Sequence, residues 1–181
     1  MAIIKLLSLF VLLSNIITVF VVVFFLLSRY GLNKTLWKKI STAIKKYSLW
    51  LIFSVSLSAM LGSLYFSEVK GYYPCKLCWF QRIFMYPQVF IVGLALFKKT
   101  KDVFKYTLLL SVIGLLIAVY HYKIQLGGSS LLPCSISGFS ESCEDKPFIY
   151  FGFITIPWMS ASVFLINSLV SFLNLKPVKK E

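Results

Sequence analysis

The chain has 181 residues, of which 59% are hydrophobic and 14% charged, with a mean hydropathy of +0.83 and a formal net charge of +13. Soluble domains carry about 25% charged and about 45–50% apolar residues, so the composition departs from that norm in both directions and points to a membrane protein. At about 20 apolar residues per span, five spans use most of the chain and exclude a separate soluble domain; the cations cluster between long uncharged runs rather than among aromatics, which excludes nucleic acid as a partner.

Residues 6–27, LLSLFVLLSNIITVFVVVFFLL, are uncharged and long enough to cross a bilayer. Only Lys5 precedes this run and Phe24, Phe25, Leu26 and Leu27 end it, which argues against a cleaved signal. Arg29 to Lys46 form a basic linker with no acid, and residues 47–67 are a second span flanked by Trp37, Tyr47 and Trp50. After the polar turn Glu68 to Gly71 comes YYPCKLCWFQR, and then a third span over about 79–97 that contains Pro87. Lys98, Lys99, Lys101 and Lys105 follow, and a fourth span covers 104–122. The polar segment from Lys123 to Lys146 is rich in serine and holds half of the acids. A fifth span is expected from near Phe148 through Pro157, ending before Lys176, Lys179 and Lys180. Three alternating segments carry thirteen Lys and Arg, against Lys70, Lys76, Lys123 and Lys146 in the two opposite loops. The positive-inside rule therefore puts the basic segments in the cytoplasm and the two opposite loops outside.

All four cysteines, Cys75, Cys78, Cys134 and Cys143, fall in those two loops. On the outer side thiols meet an oxidising compartment, where disulfides persist. A Cys75–Cys78 bridge closes too short a loop to be a useful staple. It suits redox chemistry, because a dithiol three residues apart re-forms its disulfide intramolecularly and can have a depressed thiol pKa. Pro74 precedes the pair and a helical stretch follows, which places both sulfurs at a helix N-terminus that favours thiolate. Arg82, four residues beyond Cys78, shares its helix face one turn on. Cys134 and Cys143 flank SISGFSES, which reads as an exposed loop whose disulfide another protein's thiolate can reach. A zinc site is not expected, since the C-x8-C half does not match ribbon spacing; nor is a haem or iron–sulfur ligand set visible. His121, the single histidine, ends the fourth span at the depth of the cysteine loops, where it could help protonate a reduced co-substrate or simply be solvated or hydrogen-bonded.

PCKLCWFQRIFMYP, the second cysteine pair and FGFITIPWMS together resemble the DsbB-type quinone:disulfide oxidoreductases of bacterial membranes, especially the compact branch called BdbC. The resemblance covers about residues 47–175 and implies an all-α integral membrane protein, a four-helix transmembrane bundle to which residues 1–46 add an N-terminal transmembrane helix and basic linker, with 176–181 a basic cytoplasmic tail. It implies a multi-pass protein of the bacterial cytoplasmic (inner) membrane that reoxidises a DsbA- or BdbD-like thioredoxin-fold thiol oxidase and passes the electrons to the membrane quinone pool, ubiquinone or menaquinone. It also implies roles: Cys134 is attacked by the partner, Cys143 passes the electrons to Cys75, Cys78 becomes the thiolate beside the quinone, and Arg82, with His121 nearby, binds the quinone. Two other readings remain at this point, a membrane protein whose loops are merely disulfide-stapled and a vitamin K epoxide reductase type. In the latter family the loop cysteines precede the CxxC, the reverse of the order here.

Overall fold

The computed structural model describes residues 2–30, 33–98, 100, 102–128 and 143–175. Five helices account for most of them: α1 (Ala2–Arg29), α2 (Lys34–Leu64, prolonged by a π-helical turn over Tyr65–Val69), α3 (Lys76–Lys98), α4 (Val103–Gln125) and α5 (Ile156–Asn174). All five are long and apolar enough to cross a membrane. The 19 residues of α5 rise about 28 Å, close to the thickness of a hydrocarbon core of about 30 Å.

Two element boundaries differ from the sequence reading. The basic linker is helical from Lys34 onward, because TLWKKISTAIKKY contains neither Gly nor Pro and most of its residues propagate a helix readily. Lys34, Lys38, Lys39, Lys45 and Lys46 are all exposed along it. The turn before it uses Asn33 at φ 53°, a left-handed conformation that asparagine tolerates better than most residues. The fifth helix, expected from near Phe148, begins only at Ile156. Phe151 and Gly152 both have positive φ, 52° and 80°, and reverse the chain so that Tyr150 and Ile154 pair as an isolated antiparallel bridge. Two left-handed residues in succession cannot continue a right-handed helix. Pro157 then sits in the first turn of α5, where its missing N–H leaves no bond unmade.

In the four-helix core α2 packs on α3, α3 on α4, α4 on α5 and α5 back on α2, while α1 lies outside against α2 and α5. The distribution of polarity is the reverse of a soluble bundle. Ile17, Phe20, Phe90, Leu116 and Phe172 point outward, each more than half exposed, whereas Gln88, Ser56, Ser111 and Asn167 are wholly buried. Those four join all the core helices: the Asn167 amide donates to Ser56 Oγ and to Gln88 Oε1, both at 2.9 Å, and Ser111 Oγ donates to Gln88 Oε1 at 3.1 Å. Lipid offers no hydrophobic drive for helix association, so such bonds and close packing of small residues hold the bundle together. α4 and α5 pack tightly at Gly114, where an added Cβ would overlap the ring of the fully buried Phe164.

Candidate redox site

The segment Gly71 to Cys75 descends from the π-helical turn without regular structure, and Pro74 forces an extended approach to α3. The carbonyl of Cys75 accepts the first helical bond, from the N–H of Trp79 at 3.1 Å, so Cys75 occupies the N-cap position of α3. Where serine or aspartate would place an oxygen over the free N–H groups, this chain places a sulfur, and the backbone N–H of Cys78 donates to it. The Cys75 and Cys78 sulfurs are 3.3 Å apart and both residues are free thiols. Hydrogen bonding with the Cys78 thiol, followed by hydrogen bonding and charge from His121, brings the Cys75 thiol down to about 4 against the opposing effect of burial. The sequence reading treats both sulfurs alike; in the structure the donors converge on Cys75 alone.

His121 comes from the last turns of α4, which runs on to Gln125. Its ring is 2% exposed, so the solvated interfacial histidine is not what the fold contains. Nε2 lies 3.7 Å from Cys75 Sγ, and Gln81 Nε2 donates to Nδ1 at 3.0 Å. The Gln81 contact at Nδ1 fixes the ring so that its Nε2 edge faces the sulfur. Gln81 is a residue that sequence reasoning missed; its signal was present, three positions after Cys78 on the same face as Arg82. The Cys75, Cys78 and His121 donor atoms all lie within 4.8 Å of one another, a spacing that serves proton and thiol chemistry and would also admit a metal ion.

Arg82 neither snorkels freely nor is left to Cys78 alone. Its Nε donates to Ser63 Oγ at 2.9 Å and its Nη2 to the Ser63 carbonyl at 3.0 Å, while the guanidinium lies over the Trp79 ring at 5.5 Å. Ser63, on α2, is the second residue that the sequence reading did not single out. The clamp holds the cation at the edge of a cavity of about 530 Å³ that Cys75, Cys78, Gln81, Arg82, Met85 and His121 line at one end. Away from these groups the walls are mostly apolar or small side chains of α1, α2 and α5.

The second cysteine loop meets the first. Cys143 is disulfide-bonded and fully buried, packed in one cluster with Cys75, Leu77 and Ile124. The exposed loop read from SISGFSES therefore does not extend to Cys143; Cys134 and residues 135–142 lie outside the described residues. Phe148 packs against Phe66 and Tyr72 at 5.4 and 6.4 Å, and Gln125 Nε2 donates to the Asp145 carbonyl at 2.9 Å, so the C-terminal side of the loop is fastened to the bundle.

A free dithiol under a histidine, a buried disulfide beside it and a membrane-embedded cavity define a membrane thiol–disulfide redox protein. Comparison with known proteins makes the class specific. The family described as "Disulfide bond formation protein DsbB" matches residues 45–174, and the chain belongs to it. The chain is 45% identical over 122 residues to Disulfide bond formation protein C of Bacillus subtilis, covering 66% of this chain and 84% of that protein. It is 38% identical over 140 residues to Probable disulfide formation protein C 1 of Bacillus cereus, covering 73% and 94%, and 43% identical over 116 residues to the SPbeta prophage-derived disulfide bond formation protein B of Bacillus subtilis, covering 64% and 77%. No solved structure matches. The protein is thus a multi-pass membrane oxidoreductase of disulfide bond formation, acting with a thiol oxidase. The helix α1 and most of the basic start of α2 precede the matched segment.

Proposed function

We propose that the protein sits in the bacterial cytoplasmic membrane with both cysteine loops on the outer side, reoxidises a DsbA-like thioredoxin-fold thiol oxidase, and delivers the electrons to a membrane quinone. The observation that carries this reading is the cavity: thiols, imidazole and guanidinium at one end, apolar walls elsewhere, and a volume within the range of about 300–1,000 Å³ usual for small-molecule sites. Those residues fit a quinone, whose polar head and apolar tail match the two ends. A bound quinone supplies the two-electron, two-proton acceptor that a dithiol needs.

The steps balance within the chain's own cysteines. A thiolate of the reduced partner attacks Cys134 of a Cys134–Cys143 disulfide, and Cys143 leaves as thiolate. The second partner thiol displaces Cys134, releasing the partner oxidised. Cys143 attacks Cys75 of an oxidised Cys75–Cys78 pair, so that Cys78 leaves as thiolate beside Arg82, and attack by Cys134 on Cys143 restores the second-loop disulfide. Two electrons and two protons have then reached Cys75 and Cys78, from which both pass to the quinone. His121, with its Nε2 edge facing Cys75, steadies the thiolate there, and Arg82 stabilises negative charge at the head-binding end.

The deciding experiment uses purified protein with reduced partner in excess, following quinone reduction by absorbance. Cys134→Ser should abolish oxidation of the partner while leaving Cys75 and Cys78 able to reduce quinone, and a partner lacking its second cysteine should accumulate as a mixed disulfide with Cys134, Cys143 having left as thiolate. Equal, partial defects from all four single cysteine substitutions would instead mark the cysteines as staples.

A further inference from the structure

The helix that precedes the family match contributes a wall to the cavity. Leu7, Phe10, Val11 and Ser14 of α1 line it, and their spacing of three, one and three residues puts them on one helix face. Leu7, Val11 and Ser14 are partly buried, and Phe10, 62% exposed, forms the open edge of this wall; Leu13, Ile16 and Ile17, 48%, 58% and 63% exposed, do not line the cavity.

The level of this wall follows from the hairpin that α1 and α2 form. Near its turn the rings of Phe25 and Trp37 meet at 5.2 Å. Leu7 and Val55, each eighteen residues from that pair and hence about 27 Å along its helix, both line the cavity. On α2 the lining runs from Ser54 to Phe66, about 18 Å of helix, with Phe66 at the cysteine end. α1 therefore closes the end away from Cys78 and Arg82, opposite the small side chains of Ser54 and Ser58. A molecule with its polar head at Arg82 has its tail at this level.

We propose that α1 is the tail-binding wall of the quinone site, with Leu7, Phe10, Val11 and Ser14 packing on the isoprenoid chain; the proposal rests on the quinone reading above. Moving an apolar tail from lipid to an apolar wall yields no hydrophobic gain, so recognition here is by fit, and altered side-chain volume is what should disturb it.

The test uses the full chain in lipid nanodiscs with reduced partner in excess, and two acceptors of one ring: dimethylnaphthoquinone, which has no tail, and the same ring with a tetraprenyl chain replacing one methyl. Val11→Trp and Ser14→Trp should raise the ratio of the Km for the prenylated quinone to that for the tailless one on the order of tenfold. Phe10→Ala, which adds no bulk, should raise the same ratio and serves if the tryptophan variants do not fold. Phe20→Trp, on the lipid side, should leave it unchanged. Independently of turnover, a naphthoquinone with a photoreactive group on its tail should form adducts within residues 2–29, and Val11→Trp should remove them. An unchanged ratio, or adducts on α2 and α5 with none on α1, overturns the proposal while leaving the quinone reading intact. Failure of both quinones to oxidise the protein, with no adduct in any cavity segment, overturns both.

Discussion

At the head of α3 a sulfur stands where helices usually carry a capping oxygen, and the consequence is reactivity at low pH. The thiolate of Cys75 should persist from about pH 8 down to pH 5 and be lost only as pH falls through about 4. Iodoacetamide alkylation of the reduced protein, quenched and quantified at Cys75 by mass spectrometry, should show that profile. Cys78→Ala removes the largest lowering partner and should move the midpoint upward; His121→Ala should move it the same way by less. A second expectation concerns Arg82. A hydrogen bond to a charged group is worth about 1.5–3 kcal/mol, so Arg82→Gln should raise the Km for quinone on the order of tenfold, with Arg82→Lys recovering part, since Lys cannot reproduce the two-atom grip on Ser63. Cys75, Cys78 and Arg82 were legible in the sequence because their relation is local, set by helical spacing after Pro74. Gln81 shared that local spacing and was overlooked, whereas Ser63 was not legible, because its role depends on how α2 is rotated against α3, which a single sequence does not state.

At the scale of the elements, two contacts carry much of the core. Gly114→Val drives its side chain into Phe164, and overpacking of this kind costs about 1–3 kcal/mol. Asn167→Leu strips partners from Ser56 and Gln88 together, at a cost of about 1–3 kcal/mol for buried groups left unmade. Both variants should lower the thermal transition of the detergent-solubilised protein, while Leu116→Val on the lipid face should not; a neutral Asn167→Leu would show that the four-helix polar cluster is incidental. Span number and order were readable from hydropathy, since about 20 apolar residues have few uses besides crossing a bilayer. The start of α5 was misread because FIYFGF is as apolar as the helix it precedes. Only the two left-handed residues, Phe151 and Gly152, end that stretch, and Gly152 was its one visible sign.

For the molecule as a whole, the charge asymmetry predicts sidedness. Cysteines introduced at Lys39 and Lys105 in a chain with its native cysteines blocked should resist an impermeant maleimide in intact cells, and one at Lys146 should label; labelling at Lys105 from outside would reverse the orientation. Composition announced the membrane but not the inside-out packing in detail, since which face of each helix is polar is nearly invisible when serine, glycine and alanine are spread around it. The burial of Cys143 has one more consequence. Small thiols in solution drain oxidising power from any disulfide they can attack. A sulfur sealed under Cys75, Leu77 and Ile124 is insulated from such leakage. A thiolate arriving from solution cannot reach Cys143 directly, so the oxidising power held there is shielded from the medium.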